Sequence, residues 1–383
     1  MMLSAYFNAT PLLLPKTGVS QYAWELLKQI RQMPDIHSHY FYLTGWSDEL
    51  RITSEPQGPS RLWRFKNVLR DTFPPFLEFQ HGVREQAFRR GIKKGEAGVY
   101  HELNFLPFAS HLPTVTTIHD LSILKYPKTH PAARVRFMEN RLASAVEKSE
   151  CILTDSEFVR NEVIEYFGIA PDKVRSIALA AAESFKPQPA QKTSAVLSGY
   201  GLAGLEYVLA VGTLEPRKNL ALAIRAYAQL PESLRKKTAM VIVGMRGWEN
   251  TELDAVLRPL LAKGEVKVLG YVPDADLPAL YTGASVFIYP SLYEGFGLPP
   301  LEAMSCGVPV IVSNSSSLPE VSGDAAWVVE PADVKGLADA IHVVLEDEGL
   351  RSKLCQLGYK RAAKFSWRKC AEETVSVYRS LVQ

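Results

Sequence analysis

Along nearly the whole chain, short apolar runs alternate with stretches whose apolar positions recur every third or fourth residue. The first pattern belongs to strands buried on both faces, the second to amphipathic helices. In the first half, runs at 3–7, 39–44, 113–118, 151–154 and 174–179 predict strands, as does the start of 98–105. Between them, 17–30 carries Val19, Tyr22, Leu26, Leu27 and Ile30 at helical spacing. A further amphipathic helix is expected at 132–148, and Asp155-Ser-Glu caps one running to Phe167. The pattern breaks at 185–194, a polar stretch with two prolines, and then restarts. Strands at 207–212, 238–243, 266–269, 284–289, 308–312 and 327–329 interleave with helices at 220–229, 277–283, 298–305, 334–346 and 349–365. A last helix is expected at 366–381. Two such series predict an α/β protein with two Rossmann-like doubly wound domains facing across a cleft. The expected boundaries are 1–185 for the first domain, 186–196 for a linker and 197–365 for the second domain.

Composition narrows the class without naming a function. A chain of 383 residues, 47% apolar and 22% charged, is an ordinary globular protein of two or three domains. A formal charge of +2 argues against a nucleic-acid binder that relies on bulk positive charge. The four cysteines are scattered, with no C-x-x-C pair, which points to a reducing cytoplasm rather than a disulfide framework or zinc site. The N-terminus does not read as a signal peptide, and no apolar run reaches the roughly 18 residues of a membrane span. Work at a membrane is therefore expected from its surface.

The candidate chemistry centres on 289–312. There a strand turns through Glu294-Gly-Phe-Gly297, enters a short helix near 298–305 and returns as a strand. Helix N-termini present free N–H groups and partial positive charge, which suits a phosphate, and glycines let backbone approach an anion closely. Glu294 and Glu302 can accept hydrogen bonds from sugar hydroxyls, so the stretch suits a ligand that is both phosphate and sugar. Arg217 and Lys218 follow the first strand of the second domain, where they read as a diphosphate clamp or as a solvated charged loop. Gly18, ahead of the helix after the first strand, reads as a phosphate contact or an N-cap glycine. His119 ends a strand and reads as a ligand contact or a structural histidine. Asp274-Ala-Asp276 matches a metal-holding D-x-D, but its place before a helical run makes it a helix cap, and no metal site is expected. Residues 61–94 interleave basic and aromatic side chains. That composition suits an anionic bilayer, an ordinary amphipathic helical surface or single-stranded nucleic acid.

These residues bring out a resemblance. Glu294 to Glu302, set in Tyr293-Glu-Gly-Phe-Gly-Leu-Pro-Pro-Leu-Glu-Ala-Met304, resembles the E-x7-E motif of retaining glycosyltransferases of family 4, which have the GT-B fold. Val211-Gly-Thr-Leu-Glu-Pro-Arg-Lys-Asn-Leu220 is similar to that family's donor-diphosphate loop, and 17–22, 117–121 and 154–158 are similar to its N-domain patterns. The resemblance implies that the last segment, 366–383, crosses back to the first domain. It implies a sugar contact for Glu294, a ribose contact for Glu302, and backbone contacts to sugar and phosphate from Gly295, Phe296, Gly297 and Leu298. Arg217 and Lys218 would bind the diphosphate, joined by Gly18, with Tyr271 and Val272 at the base and His119 at the sugar hydroxyls. Many members read Gly-Arg-Leu where this chain has Gly212-Thr-Leu214, which leaves Arg217 to supply a guanidinium.

The implied reaction is hexose transfer with retention from a nucleotide sugar to a lipid-linked or oligosaccharide acceptor in cell-surface polysaccharide synthesis, with no cofactor. The Glu215-Pro-Arg-Lys-Asn219 version of the loop resembles bacterial mannosyltransferases of O-antigen and exopolysaccharide synthesis. GDP-mannose is thus the first expected donor and a UDP-sugar the second. The expected partners are nucleotide sugar, acceptor and the inner-membrane surface through 61–94, with no nucleic acid, and the expected location is cytoplasmic and peripheral to the membrane. A nicotinamide oxidoreductase would need a G-x-G-x-x-G after a first strand, which neither half supplies. A sugar-nucleotide-binding subunit without turnover is the non-enzymatic alternative.

Overall fold

The computed structural model describes residues 2–13, 17–52, 74–92, 97–245 and 251–382, with 74–78 and 251 as backbone only. Contacts divide the chain into two units, Met1–Leu179 with Trp367–Gln383, and Ala180–Ser366.

The first unit holds β1 (Leu3–Asn8), β2 (Ile36–Tyr42), β3 (Gly45–Ser47), β4 (Val99–Glu102), β5 (Thr114–Ile118), β6 (Cys151–Thr154) and β7 (Val174–Ser176). They form one sheet in the order β3-β2-β1-β4-β5-β6-β7, parallel except for the β2–β3 hairpin. Strands β4, β5 and β6 are buried at every position, which is why they read as continuous runs rather than alternations. The helix Gly18–Ile30 buries Tyr22, Leu26, Leu27 and Ile30, as their spacing predicts. Thr17, not Gly18, is its N-cap, in a capping box with Ser20.

The helix Trp367–Val382 packs against Gly18–Ile30 and buries Trp367, Cys370, Ala371, Thr374, Val375 and Tyr378, a stripe at three- and four-residue intervals. A polar relay pins this helix to the sheet. His101 on β4 is wholly buried, with Tyr378 Oη 2.6 Å from Nδ1 and Thr117 Oγ1 2.8 Å from Nε2. Thr117 is also 2.9 Å from Tyr22 Oη, so one chain of hydrogen bonds joins two helices through two strands. Burial, with nearby His119, holds the His101 pKa down to about 3, so the ring stays neutral.

The second unit holds β8 (Glu206–Val211), β9 (Thr238–Val243), β10 (Val266–Gly270), β11 (Val286–Tyr289), β12 (Val310–Ser313) and β13 (Ala326–Val329). The sheet order is β10-β9-β8-β11-β12-β13, all parallel. Successive residues feed opposite cores. Val208, Ala210, Met240 and Ile242 face one apolar layer, whereas Tyr207, Leu209, Val241 and Val243 face the other. In both sheets, neighbouring strands diverge in chain order at one place, between β1 and β4 and between β8 and β11. The crevice beyond the C-terminal ends of those strands is where such sheets hold ligands.

Several boundaries differ from expectation. The segment 186–196 is not a free linker: Phe185 is buried against Tyr281, and Ala190–Gly199 is a helix of the second unit. The break between units falls instead at Leu179 and Ala180. The strand expected at 39–44 is Ile36–Tyr42, because Leu43 at φ 53° turns the chain into the unanticipated β3. A helix at Thr251–Ala262 was also not anticipated. Of the basic and aromatic segment 61–94, residues 61–73 and 93–94 lie outside the described residues. The rest forms a helix, Pro74–Gly91, with Phe88 buried while Phe79 and Val83 are exposed.

Tyr378→Phe removes one hydroxyl from the relay and should cost about 1 kcal/mol. Tyr378→Ala also empties a core position and should cost about 3–5 kcal/mol. Urea unfolding of both variants, followed by circular dichroism, checks the difference; no cost in Tyr378→Phe would mean that packing, not the relay, holds the helix.

Candidate active site

In the second unit, β8 and β11 deliver two loops to the same crevice. The loop after β8 runs through Gly212 to a short 3-10 turn, Pro216–Lys218. Asn219 ends that turn in the left-handed region, φ 56°, and its amide donates to the carbonyls of Pro290 and Pro331 at 3.1 and 2.8 Å. Leu292 N donates to Arg217 O at 2.8 Å, so the backbones of the two loops are tied as well. The side chains then meet. Lys218 Nζ donates to Glu294 Oε1 at 2.7 Å and to Tyr289 Oη at 2.8 Å. Arg217 Nη1 donates to Glu294 Oε2 at 3.2 Å and to Tyr293 O at 2.7 Å, while Nη2 donates to Glu215 Oε1 at 2.8 Å.

All four charged groups of this cluster are nearly sequestered, with side-chain exposures of 12% for Arg217, 13% for Lys218, 9% for Glu294 and 11% for Glu215. Burial alone would raise the Glu294 carboxyl. Lys218 and Arg217 outweigh burial and hold its pKa down to about 2. Glu294 is thus a fixed anion between two fixed cations.

The turn after Glu294 is braced from the following strand end. Ser317 Oγ donates to the carbonyls of Glu294 and Phe296, at 3.0 and 2.8 Å, and Ser316 Oγ accepts from Glu294 N at 2.8 Å. Ser315 donates to Leu292 O and Ser313 to Ser291 O. Gly297 stands at φ 108° before the helix Leu298–Ser305, and a Cβ there would lie 2.7 Å from Leu318 Cδ2. Glycine is therefore required both by conformation and by space. Glu302, buried on that helix, accepts from Tyr281 Oη at 3.0 Å. Beyond β10, Tyr271 is exposed, whereas the Val272 side chain is buried in the core, which leaves its backbone for any ligand. Asp276 occupies the N-cap position of Leu277–Thr282, yet its carboxylate does not cap; it accepts from Tyr200 Oη at 2.8 Å.

In the first unit, His119 ends the β5 region with both ring nitrogens engaged. Nδ1 lies 2.8 Å from Asp155 Oδ2 and Nε2 lies 3.0 Å from Leu103 O. Leu103 O can only accept, so Nε2 donates, and an ionised Asp155 favours the protonated ring, although burial raises the Asp155 carboxyl too. Burial would lower its pKa, but Asp155 outweighs burial and the net shift is upward. Tyr22 meets the ring edge-on, with centroids 4.8 Å apart. Within the Asp155-Ser-Glu segment expected to cap the next helix, Ser156 is the cap, accepting from Val159 N at 3.2 Å. Gly18 occupies the first turn of its helix, and a Cβ there would meet nothing within 4 Å.

Sequence reasoning missed Glu102. This residue ends β4 and bridges the divergence from β1: Oε2 accepts from Asn8 Nδ2 at 2.8 Å and Tyr100 Oη at 2.7 Å, and Oε1 from Asn104 N at 3.1 Å. Burial raises its pKa to about 8 against the pull of these donors. Glu215 was read only as part of its loop, without the pairing it makes with Arg217 two residues on; the serines at 313 and 315–317 were missed because their partners arrive from another loop.

A seven-strand and a six-strand sheet of this kind, with charged loops at the second unit's strand divergence, define a GT-B glycosyltransferase fold. The family model for glycosyl transferases group 1 matches residues 202–361, and that for glycosyltransferase family 4 matches residues 16–179. The chain is 37% identical to the O-antigen chain mannosyltransferase B of Escherichia coli, over 98% of this chain and 99% of that protein. It is 35% identical to the serotype-specific mannosyltransferase WbdA of Escherichia coli over 70% of this chain, a match that spans 34% of that longer protein. It is 26% identical to the O-antigen chain mannosyltransferase RfbU of Salmonella typhimurium, over 85% of this chain and 86% of that one. The chain therefore belongs to the glycosyltransferases with these two domains. Among solved structures, sucrose-phosphate synthase from Thermosynechococcus elongatus superposes with a TM-score of 0.74 at 21% identity, covering 100% of this chain and 99% of that one. WaaG, a glycosyltransferase involved in lipopolysaccharide biosynthesis, superposes with a TM-score of 0.69 at 16% identity, covering 98% of this chain and 99% of that one.

Glu102 yields a pH prediction. The folded chain keeps this proton up to about pH 8, whereas the unfolded chain releases it near its ordinary value of 4.5. Between these values the folded state binds more protons, so stability falls as pH rises and the loss is complete above about pH 8. Glu102→Gln should flatten that slope and so remove a loss of about a few kcal/mol across the window, read from urea midpoints on both sides of neutrality. An unchanged slope would show that Glu102 is ionised throughout.

Proposed function

We propose that the chain is a retaining mannosyltransferase. It would take mannose from GDP-mannose to a lipid-linked or oligosaccharide acceptor in O-antigen or exopolysaccharide synthesis. The carrying observation is the Arg217–Glu294–Lys218 cluster at the divergence of β8 and β11. The mannosyltransferase names of the relatives support the choice of sugar.

In this reading the donor diphosphate takes over Arg217 and Lys218, and Glu294 turns to the hydroxyls of the sugar. The bond from the anomeric carbon to the phosphate oxygen breaks, its electron pair leaving with the diphosphate. Two preorganised cations and the amides of Gly295, Phe296, Gly297 and Leu298 stabilise that charge. The acceptor oxygen bonds the same face of the sugar, and its proton passes to the departing phosphate oxygen. Glu302 holds the ribose, Tyr271 and the Val272 backbone flank the base, and Gly18 lets the diphosphate approach the helix start. His119, with both ring nitrogens engaged by Asp155 and Leu103, presents a ring edge rather than a free nitrogen, so its action on sugar hydroxyls requires release of Leu103 O. No cofactor or metal is assigned a part.

We also place the chain at the cytoplasmic face of a membrane. No described helix is long and apolar enough to cross one. The helix Pro74–Gly91 exposes Phe79 and Val83, and Arg89 and Arg90 stand exposed on its last turn, a composition that suits an anionic bilayer.

Labelled GDP-mannose with a lipid-linked acceptor should give transfer, and proton NMR of the product should show the donor's anomeric configuration. Transfer only from a UDP-sugar would overturn the donor, inversion would overturn the mechanism, and donor binding without turnover would favour a non-catalytic subunit. Glu294→Gln should lower kcat by about 100- to 1,000-fold. Gly18→Ala should leave thermal stability unchanged and raise the donor KM; an unchanged KM removes Gly18 from the site.

A further inference from the structure

A second cluster lies away from these strand ends, at the sheet edge of the first unit. His37 and His39 are two residues apart on β2, so their side chains leave the same face of the strand. The hairpin register pairs Tyr40 with Ser47, which brings Asp48, one residue past β3, opposite His39. His39 Nδ1 lies 2.7 Å from Asp48 Oδ1, and the His37 and His39 ring centroids lie 4.3 Å apart. One ligand-type atom from each of the three side chains lies within 4.8 Å of the other two, and among the described residues no other group of histidine, cysteine and carboxylate converges in this way.

We propose that His37, His39 and Asp48 form a binding site for a divalent transition cation, zinc in the first instance, which staples the β3 hairpin to β2. Two imidazoles and a carboxylate are a zinc-type donor set, with solvent completing the coordination. Zinc–nitrogen bonds of about 2.0–2.1 Å place tetrahedral ligand atoms about 3.3 Å apart, so the His39–Asp48 pair at 2.7 Å would open slightly while the exposed His37 ring turns toward them from within 4.8 Å. His39 is already oriented. Its ring stacks on Tyr6, with centroids 4.7 Å apart and planes at 17°, and its Nδ1 faces Asp48 Oδ1, so a cation would displace the hydrogen bond and be held by these two atoms.

The consequence is structural. β3 carries Trp46, whose Nε1 donates to Phe88 O at 3.1 Å and whose ring packs on Phe41 and Phe88. A cation on Asp48 therefore anchors the hairpin that holds the helix Pro74–Gly91. His37 and His39 are the second and fourth of the seven residues of β2, short of its C-terminal end, so the cation takes no part in sugar transfer.

The test uses the full chain without a histidine tag, stripped with chelator and titrated with zinc chloride in a calorimeter. One zinc per chain is expected, bound at least about tenfold more weakly by His37→Ala and by His39→Ala. Zinc should also slow hydrogen exchange over 45–48 in the wild type and not in the variants. Unchanged affinity in both variants would overturn the proposal. A thiolate charge-transfer band with cobalt(II) would do so too, since it would place the metal on a cysteine such as the partly buried Cys355.

Discussion

Two buried cations at one crevice are tolerable because carboxylates meet them: Glu294 stands between both, and Glu215 pairs with Arg217 from the other side. Arg217 and Lys218 are nearly withdrawn from water, and each ion so withdrawn costs several kcal/mol unless paired and hydrogen-bonded. Glu294 meets that requirement, and the loops that carry the three residues are shaped to bring them together. Asn219 takes a left-handed conformation and donates to two carbonyls, one on each of two other loops, Leu292 reaches back to the Arg217 carbonyl, and Ser317 fastens the turn beyond Glu294. The same arrangement makes the site ready for a diphosphate: an anionic ligand replaces an anionic side chain, and the cations keep their places.

The close passage of β8 and β9 serves this geometry. A Cβ on Gly244 would lie 1.9 Å from Gly212 O, so the two strand ends can be this near only with glycine at 244. Gly212 itself stands at φ 152° where the chain leaves β8 for the cationic loop. In the first unit a different polar frame does the comparable work. Asn8, Tyr100 and Asn104 converge on Glu102, and His101 ties the last helix to the sheet through Tyr378. That helix is distant in sequence from everything it touches, yet its stripe of Trp367, Cys370, Val375 and Tyr378 is an ordinary helical period.

Local periodicity therefore revealed most elements, and the glycine, cation and carboxylate pattern revealed the second unit's crevice. What stayed hidden shares one property: it depends on partners separated by long stretches of chain. The cap expected at Asp155-Ser-Glu left open which residue serves, because the residue types of caps and of histidine partners are the same; only the fold shows that Ser156 caps and Asp155 turns to His119. Asp276 misled similarly, since Tyr200 comes from a helix that the two prolines near 187 had disguised as linker. Glu102 gave no signal because burial, not its neighbours in sequence, makes it unusual. Leu43 could not be foreseen as a strand terminator, because leucine rarely adopts positive φ.

The central claim is that Glu294 occupies the cations that a donor diphosphate needs. Calorimetric titration of GDP, with UDP in parallel, into wild type and Glu294→Gln tests it most directly. With the competing carboxylate neutralised, the variant should bind the nucleoside diphosphate several-fold more tightly while Lys218→Met binds it more weakly. Weaker binding by Glu294→Gln, or equal binding by all three proteins, would contradict the account.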